Sequence, residues 1–332
     1  MPNIKEYNVK LNRLKSTKKM TKTMKLVSMS KLSWSQTAER KAKLYAESLT
    51  GLIGRLAATS HSTGHPLLTP RPKAARALIL VITADRGLCG AFTNNLIREV
   101  SAWLKTHRKL YQTIEMSFCG KRGHLALKQK AAVKTVYQNT IAKPNFASAG
   151  KIGAELIAAF LSGEYDEIHL AYNRYVSPLT QTPLFERILP IKKWTVAKWP
   201  DARHRRVSAE ASSSDAAQAN EEITPQMGVL RQSQKRPFHA GQYGLAVDTI
   251  FEPRPNELLD FLIPRYLYFR IYYALLENSA GEHGARMTAM DSATKNAETM
   301  ISRNTLLRNR ARQSGITNEL LEIIAGAEAL AQ

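Results

Sequence analysis

The sequence predicts an α/β protein in which two very long helices, one from each end of the chain, stand beside a sheet-containing middle region. Three observations predict it. Residues 3–50 contain neither proline nor glycine, and no proline follows Pro264. Thirteen of the fourteen prolines fall between 66 and 264. Within 75–195, strand-like apolar runs alternate with helical stretches, the pattern of a βαβ-type sheet. A helix over 3–50 would reach roughly 70 Å, and one over 265–332 close to about 100 Å. Helices several times the usual length of about 11–12 residues need a partner for their apolar stripe. Pairing the two ends supplies it, as a rod.

Taken in order, the first helix occupies 1–60. Ile4, Tyr7, Leu11 and Leu14 recur at the spacing of a helix–helix seam. Across 15–31 the apolar seam thins to Met20, Met24 and Val27, amid Lys and Thr, then thickens through Leu44, Leu49, Leu52, Ile53 and Leu56. A stretch that polar is predicted to be solvated or surrounded by another protein. Breakers cluster at 61–72, and the period changes. RALILVIT (76–83), IEMSFCG (114–120), AVKTVY (132–137), DEIHLAYNRY (166–175) and PLFERILPI (183–191) read as strands. Helices are predicted at 91–109, 121–130 and 148–162. Residues 201–240 are polar, small and poor in large apolar side chains, the composition of a flexible surface insertion. From Glu257 to 332 the helical pattern returns, with Met287, Met290, Ala293, Ala297, Met300, Leu307, Ala311, Leu320 and Ile324 as a seam rich in small residues.

Composition narrows the function. With 44% hydrophobic and 23% charged residues over 332 positions, the chain is ordinary for a globular protein and has room for two structural units. No apolar run reaches the 18 or so residues of a membrane span, so no direct membrane insertion is expected. The start lacks the apolar core of a secretory signal and reads as mature sequence. Cys89 and Cys119 lack CxxC spacing and read as buried, reduced thiols; the eight histidines show no metal-ligand spacing. The net charge of +21 calls for an acidic partner. Residues 1–50 carry twelve Lys or Arg against three Glu, without aromatic interleaving. That suits an acidic protein sleeve at least as well as nucleic acid, so a basic coiled-coil nucleic-acid-binding protein remains the alternative.

The turn in LILVITADRGLCGAF joins a strand to a helix, the geometry that cradles phosphates. It lacks the third glycine of GxGxxG and the GKS/T of a P-loop, and reads as a plain βα turn. No cofactor or metal site is expected. Lys18, Lys19, Lys22 and Lys25 form one basic stretch of the first helix, and Arg308, Arg310 and Arg312 another near the end of the last.

Three segments carry more than pattern. EPRPNELLDFLIPRYLYFRIYYALLENSAGEHGARMTAMDSATKNAETMI (252–301) with NRARQSGITNELLEIIAGAEAL (309–330), STKKMTKTMKLVSMSKL (16–32) and TADRGLCGAF (83–92) resemble, in order, the terminal helices and mid-chain signature of F-type ATP synthase gamma subunits. The resemblance implies a long antiparallel coiled coil of the N- and C-terminal helices plus a Rossmann-like α/β middle domain. It implies a rotor without a catalytic site of its own, turning inside a ring of alpha and beta subunits, beside the epsilon subunit and above the membrane c-ring. The location implied is peripheral, on the cytoplasmic face of a bacterial inner membrane. Rotor–stator contact positions carry over onto Met24, Arg312, Gln313, Thr317 and Glu319; Lys22 and Lys25 are added for their charge. Trp34 departs from the family's usual basic or small residue there. Gly281, Gly284 and Gly315 stand where Ala or Ser is common, each costing a helix about 1 kcal/mol.

Overall fold

The computed structural model of the protein describes residues 4–59, 65–71, 74–191 and 255–330; the predicted insertion at 201–240 lies outside them. The chain opens on helix α1 (Ile4–Thr59, 56 residues) and closes on α5 (Pro255–Leu330, 76 residues). Their lengths correspond to roughly 85 and 115 Å. Between them run β1 (Arg76–Ile82), α2 (Phe92–His107), β2 (Thr113–Cys119), α3 (Lys121–Leu127), β3 (Ala132–Tyr137), α4 (Phe146–Leu161), β4 (Glu167–Tyr175) and β5 (Gln181–Leu189).

The strands form one sheet in the order β3-β2-β1-β4-β5, in which the first four are mutually parallel and β5 is antiparallel to β4. All five predicted strands are present within about two residues of their expected starts. The apolar side chains of β1 divide by the strand period. Leu78, Leu80 and Ile82 face a core built with α4 and α5, while Ile79 and Val81 face Leu96, Val100 and Leu127 of α2 and α3. With helices on both faces, the sheet reverses its order between β1 and β4, as in Rossmann-like folds.

Helix α5 belongs to both parts of the molecule. Its first half packs Ile263, Leu267, Ile271 and Leu275 against the sheet and against Leu49, Ile53 and Leu56 of α1. Each such side chain, fully buried, contributes about 1.5–3 kcal/mol. Gly153 of α4 lets that helix approach the Tyr268 ring so closely that a Cβ would lie 2.3 Å from it. Arg270, buried, pairs with Glu186 of β5, so a charged strut joins α5 to the edge strand. Near it, burial pushes the Glu277 carboxyl up to about 7, against the opposing pull of Arg270.

Candidate functional site

The paired face of α1 follows a strict alternation of three and four residues: Leu11, Leu14, Lys18, Thr21, Lys25, Ser28, Leu32, Ser35, Glu39, Ala42, Ala46, Leu49, Ile53 and Leu56. Every one is buried or half-buried. That spacing is the seam of a coiled coil. Its middle is polar. Thr21 Oγ1 and Thr294 Oγ1 share a hydrogen bond of 2.8 Å, and Ser35 Oγ and Ser279 Oγ lie 3.3 Å apart. Lys25 Nζ lies 2.5 Å from Asp291 and Lys18 Nζ 2.9 Å from Glu298. The Lys25 ammonium, followed by Lys295, holds the Asp291 carboxyl below the usual carboxylate range. Partner numbers rise along one helix as they fall along the other, so the two run antiparallel.

Two expectations need correction. The middle seam does not run through Met20, Met24 and Val27: Met20 is 61% and Val27 52% exposed, and the buried positions are Thr21 and Ser28, one residue on. Leu44, at 69% exposed, is likewise outside the seam, which uses Ala42 and Ala46. On α5, Met290 and Ala297 are buried as expected, but Met300, Leu307, Leu320 and Ile324 are exposed. The seam keeps its register through polar residues, so following apolar character leads onto a neighbouring stripe. The basic stretch of α1 also divides. Lys18 and Lys25 bind their own partner helix, whereas Lys19 and Lys22 face outward.

Extending the pairing register at equal rise per residue, Ile4 stands level with roughly residue 311, and among the described residues α5 continues alone beyond it. Arg312 and Gln313 lie at that level, and Thr317 and Glu319 on the unpaired end. All four are exposed, and the Thr317 hydroxyl donates to the Gln313 carbonyl at 2.9 Å. Met24, half-buried, lies on α1 roughly 30 Å lower. The structure therefore distributes the predicted residues over two levels of one rod. Exposed apolar residues that charge-based reasoning passed over accompany them: Leu26, Met29 and Trp34 on α1, and Leu321 and Ile323 near the free end.

Met24 and Val27 line a cleft of about 520 Å³ whose far wall is Arg86, Gly87, Leu88 and Arg286. Two sequence signatures, the middle of α1 and the turn after β1, thus meet in space. The turn places Leu88 and Gly90 in left-handed conformation, at φ 64° and 57°. Its geometry is opposite to that of a phosphate cradle. The Arg286 guanidinium, itself paired with Glu282 at 2.6 Å, donates to the carbonyls of Arg86 and Gly87. Asn278 donates to the Thr83 carbonyl at 3.4 Å. Gly281 lies against the Phe92 ring, where a Cβ would stand 2.7 Å from Cε2. The crevice at the strand-order reversal, where such sheets commonly hold a ligand, is filled by α5. Both cysteines are buried, and burial pushes the Cys119 thiol up to about 12, far from a reactive thiolate. Among the described residues no group of His, Cys, Asp and Glu has metal-ligand geometry, and no helix is long and apolar enough to cross a membrane.

Comparison with known proteins is consistent along the chain. Residues 3–330 match the family described as ATP synthase. The ATP synthase gamma chain of Desulfosudis oleivorans is 36% identical over 335 residues, covering 99% of each chain. That of Anaeromyxobacter is 35% identical over 334 residues, covering 99% of this chain and all of the relative. Among solved structures, a chain of the Euglena gracilis mitochondrial ATP synthase in an OSCP/F1/c-ring assembly superposes with a TM-score of 0.58 at 18% identity, covering 98% of this chain and 94% of its own. One from the central stalk/c-ring of the Tetrahymena thermophila enzyme gives 0.51 at 20% identity, covering 82% and 99%. Full-length matches of this kind, on a fold of two antiparallel terminal helices flanking a mixed sheet, place the chain in the ATP synthase gamma chain family.

Proposed function

We propose that the chain is the central shaft of an ion-driven ATP synthase, turning within a ring of alpha and beta subunits and coupling ion flow to ATP synthesis or hydrolysis at the beta-subunit sites. The observation that carries this reading is the rod itself: about 115 Å of continuous α5, stiffened by α1 along most of its length and, among the described residues, bare at its far end. A rod can transmit torque, and its two unlike helices make it asymmetric. Each orientation then presents a different face to each surrounding subunit, shifting that subunit between conformations of differing nucleotide affinity. The chain needs no active site of its own for this role.

Met24 and Lys22 on α1, and Arg312, Gln313, Thr317 and Glu319 on α5, are the proposed contacts with the ring. The exposure of Lys22, Arg312, Gln313, Thr317 and Glu319 and the position of all six along the rod support the assignment; Met24 is half-buried. Lys25 supports the contact from beneath, since its ammonium is engaged by Asp291. Exposed polar contacts of about 0.2–1 kcal/mol each are weak enough to slide. The sheet sits towards the opposite end, where the epsilon subunit and the membrane c-ring are the proposed neighbours, on the cytoplasmic side of a bacterial membrane. The basic surface is accordingly assigned to an acidic protein sleeve in preference to nucleic acid.

The test is co-assembly with alpha and beta subunits and observation of a probe fixed to the sheet region. Rotation during ATP hydrolysis is expected; hydrolysis with a stationary probe contradicts the reading. Arg312→Ala and Gln313→Ala should each lower ATPase turnover while the complex still assembles, and unchanged turnover in both removes them as contacts.

A further inference from the structure

Two clefts lie side by side on the sheet flank away from α5. The larger, about 620 Å³, is bounded by the last turns of α2, the strand entries at Thr113 and Ala132, and the turn carrying Lys130. The smaller, about 420 Å³, runs along α2 past Arg98. They share Ser101, Lys105 and Lys130. Lys130 Nζ donates to Ser101 Oγ at 2.8 Å, which holds the ammonium at the junction. Among the described residues no carboxylate lines either cleft.

The contrast with the rest of the sheet is informative. Arg71 and Arg76 pair with Asp166, Lys134 with Glu164, Arg187 with Glu167 and Arg270 with Glu186. Around the double cleft, Arg98, Lys105, Arg108 and Lys130 converge from two elements, and among the described residues none of them has an ion pair. The carbonyl end of α2 carries a partial charge of about −0.5, which favours cations at Lys105 and Arg108. Arg98 lies two turns earlier and Lys130 comes from another element, so the dipole explains neither. Four like charges around a concavity repel one another unless an anion joins them.

We propose that this double cleft is a binding site for a phosphate ester, with Lys105, Arg108 and Lys130 as the phosphate ligands and Arg98 extending the site for a second phosphate. An arginine fork and two ammonium groups suit phosphate oxygens, and the cavity volume lies within the usual range for a small ligand, about 300–1,000 Å³. A concave site favours a compact polyanion over an extended acidic protein segment. The site opens at the amino-terminal edge of the strands, the edge tied through Ala75, Gln112 and Asp166. That edge lies on the side of the first turns of α5, where His65 meets Asp260, and away from the unpaired tip. A soluble phosphate compound and a lipid headgroup can both approach there.

The test uses the full chain at about 0.15 M salt, where screening over about 8 Å suppresses diffuse attraction. Pyrophosphate is titrated calorimetrically, and vesicles of phosphatidylglycerol or phosphatidylcholine are tested by co-sedimentation. The variant Lys105→Gln/Arg108→Gln/Lys130→Gln is compared with Lys41→Gln/Lys143→Gln/Lys151→Gln, which removes equal charge at exposed positions elsewhere. One pyrophosphate per chain, weakened by about tenfold or more in the first variant and within about twofold of the parent in the second, supports the site with a soluble ligand. Binding confined to phosphatidylglycerol, with the same variant dependence, supports it with a lipid ligand. Absence of binding to both probes, or equal loss in both variants, overturns the proposal. So does polyglutamate that binds through the same residues more tightly than either phosphate probe. Lys130→Gln alone, expected to weaken binding in part, keeps the test decisive if the triple variant fails to fold.

Discussion

The same substitution should have opposite effects at two points of one helix. Gly281 and Gly315 both lie inside α5, and replacing either with alanine gains about 1 kcal/mol of helix preference. At Gly315 a new Cβ meets nothing within 4 Å, so the whole gain is retained. At Gly281 it would stand 2.7 Å from Phe92 Cε2 and 3.4 Å from Gln181 Cγ. Carbon–carbon contacts settle at about 3.5–4.0 Å, so the ring must retreat by roughly an ångström. Phe92 is 3% exposed and packed with Ala84 and Cys89 at the start of α2. Overpacking of that kind costs about 1–3 kcal/mol. The balance for Gly281→Ala is destabilising by about 1 kcal/mol, read as a lower urea midpoint. Gly315→Ala acts on a helix end that opens locally, so its effect is read by hydrogen exchange. Amides around 312–320 should exchange about fivefold more slowly, the equivalent of about 1 kcal/mol. A raised midpoint for Gly281→Ala would show that the contact is not tight, and unchanged exchange for Gly315→Ala would show that the tip is not an ordinary helix.

In the polar seam, Thr21→Val and Thr294→Val should each cost about 0.5–1 kcal/mol, and the double variant less than their sum, because the shared hydrogen bond can be lost only once, while the hydroxyl left in either single variant still reaches the Lys18 or Met290 carbonyl of its own helix. Strict additivity in that cycle would show that the 2.8 Å contact contributes nothing. Glu277 is raised to about 7 chiefly by burial, with Arg270, Tyr172 and Arg174 opposing and Glu39 reinforcing. A carboxyl raised in the folded state contributes stability that is full below its unfolded pKa of about 4.5 and lost as pH rises through 7. Glu277→Gln should therefore gain on the parent between those limits, by about 3 kcal/mol overall, and run parallel to it above pH 8. A stability difference independent of pH would place the Glu277 side chain in contact with water.

The long helices were legible in the sequence because helix breakers act locally: residues 3–50 carry neither proline nor glycine, no proline follows Pro264, and no tertiary contact is needed to see it. The strands were legible for a similar reason, as short apolar runs between breakers. Of the site, the positions and exposure of Arg312, Gln313, Thr317 and Glu319 follow from a helix that outruns its partner. The register of the seam could not be read. Thr21, Ser28 and Ser35 occupy buried seam positions without apolar character, and the roles of Thr21 and Ser35 depend on Thr294 and Ser279 arriving opposite them from the far end of the chain. The same holds for charge. Lys18 and Lys25 look like Lys19 and Lys22 in the sequence, and only the arrival of Glu298 and Asp291 separates cations bound within the rod from those offered outward. Gly281 reads as a weakness of the helix until Phe92 is seen against it. What the sequence determined by itself was local, the stiffness and length of each helix and the period of each strand. Tertiary structure alone decided which side chains face inward, because a seam is defined by the two surfaces that close on it, and each surface carries half of the information.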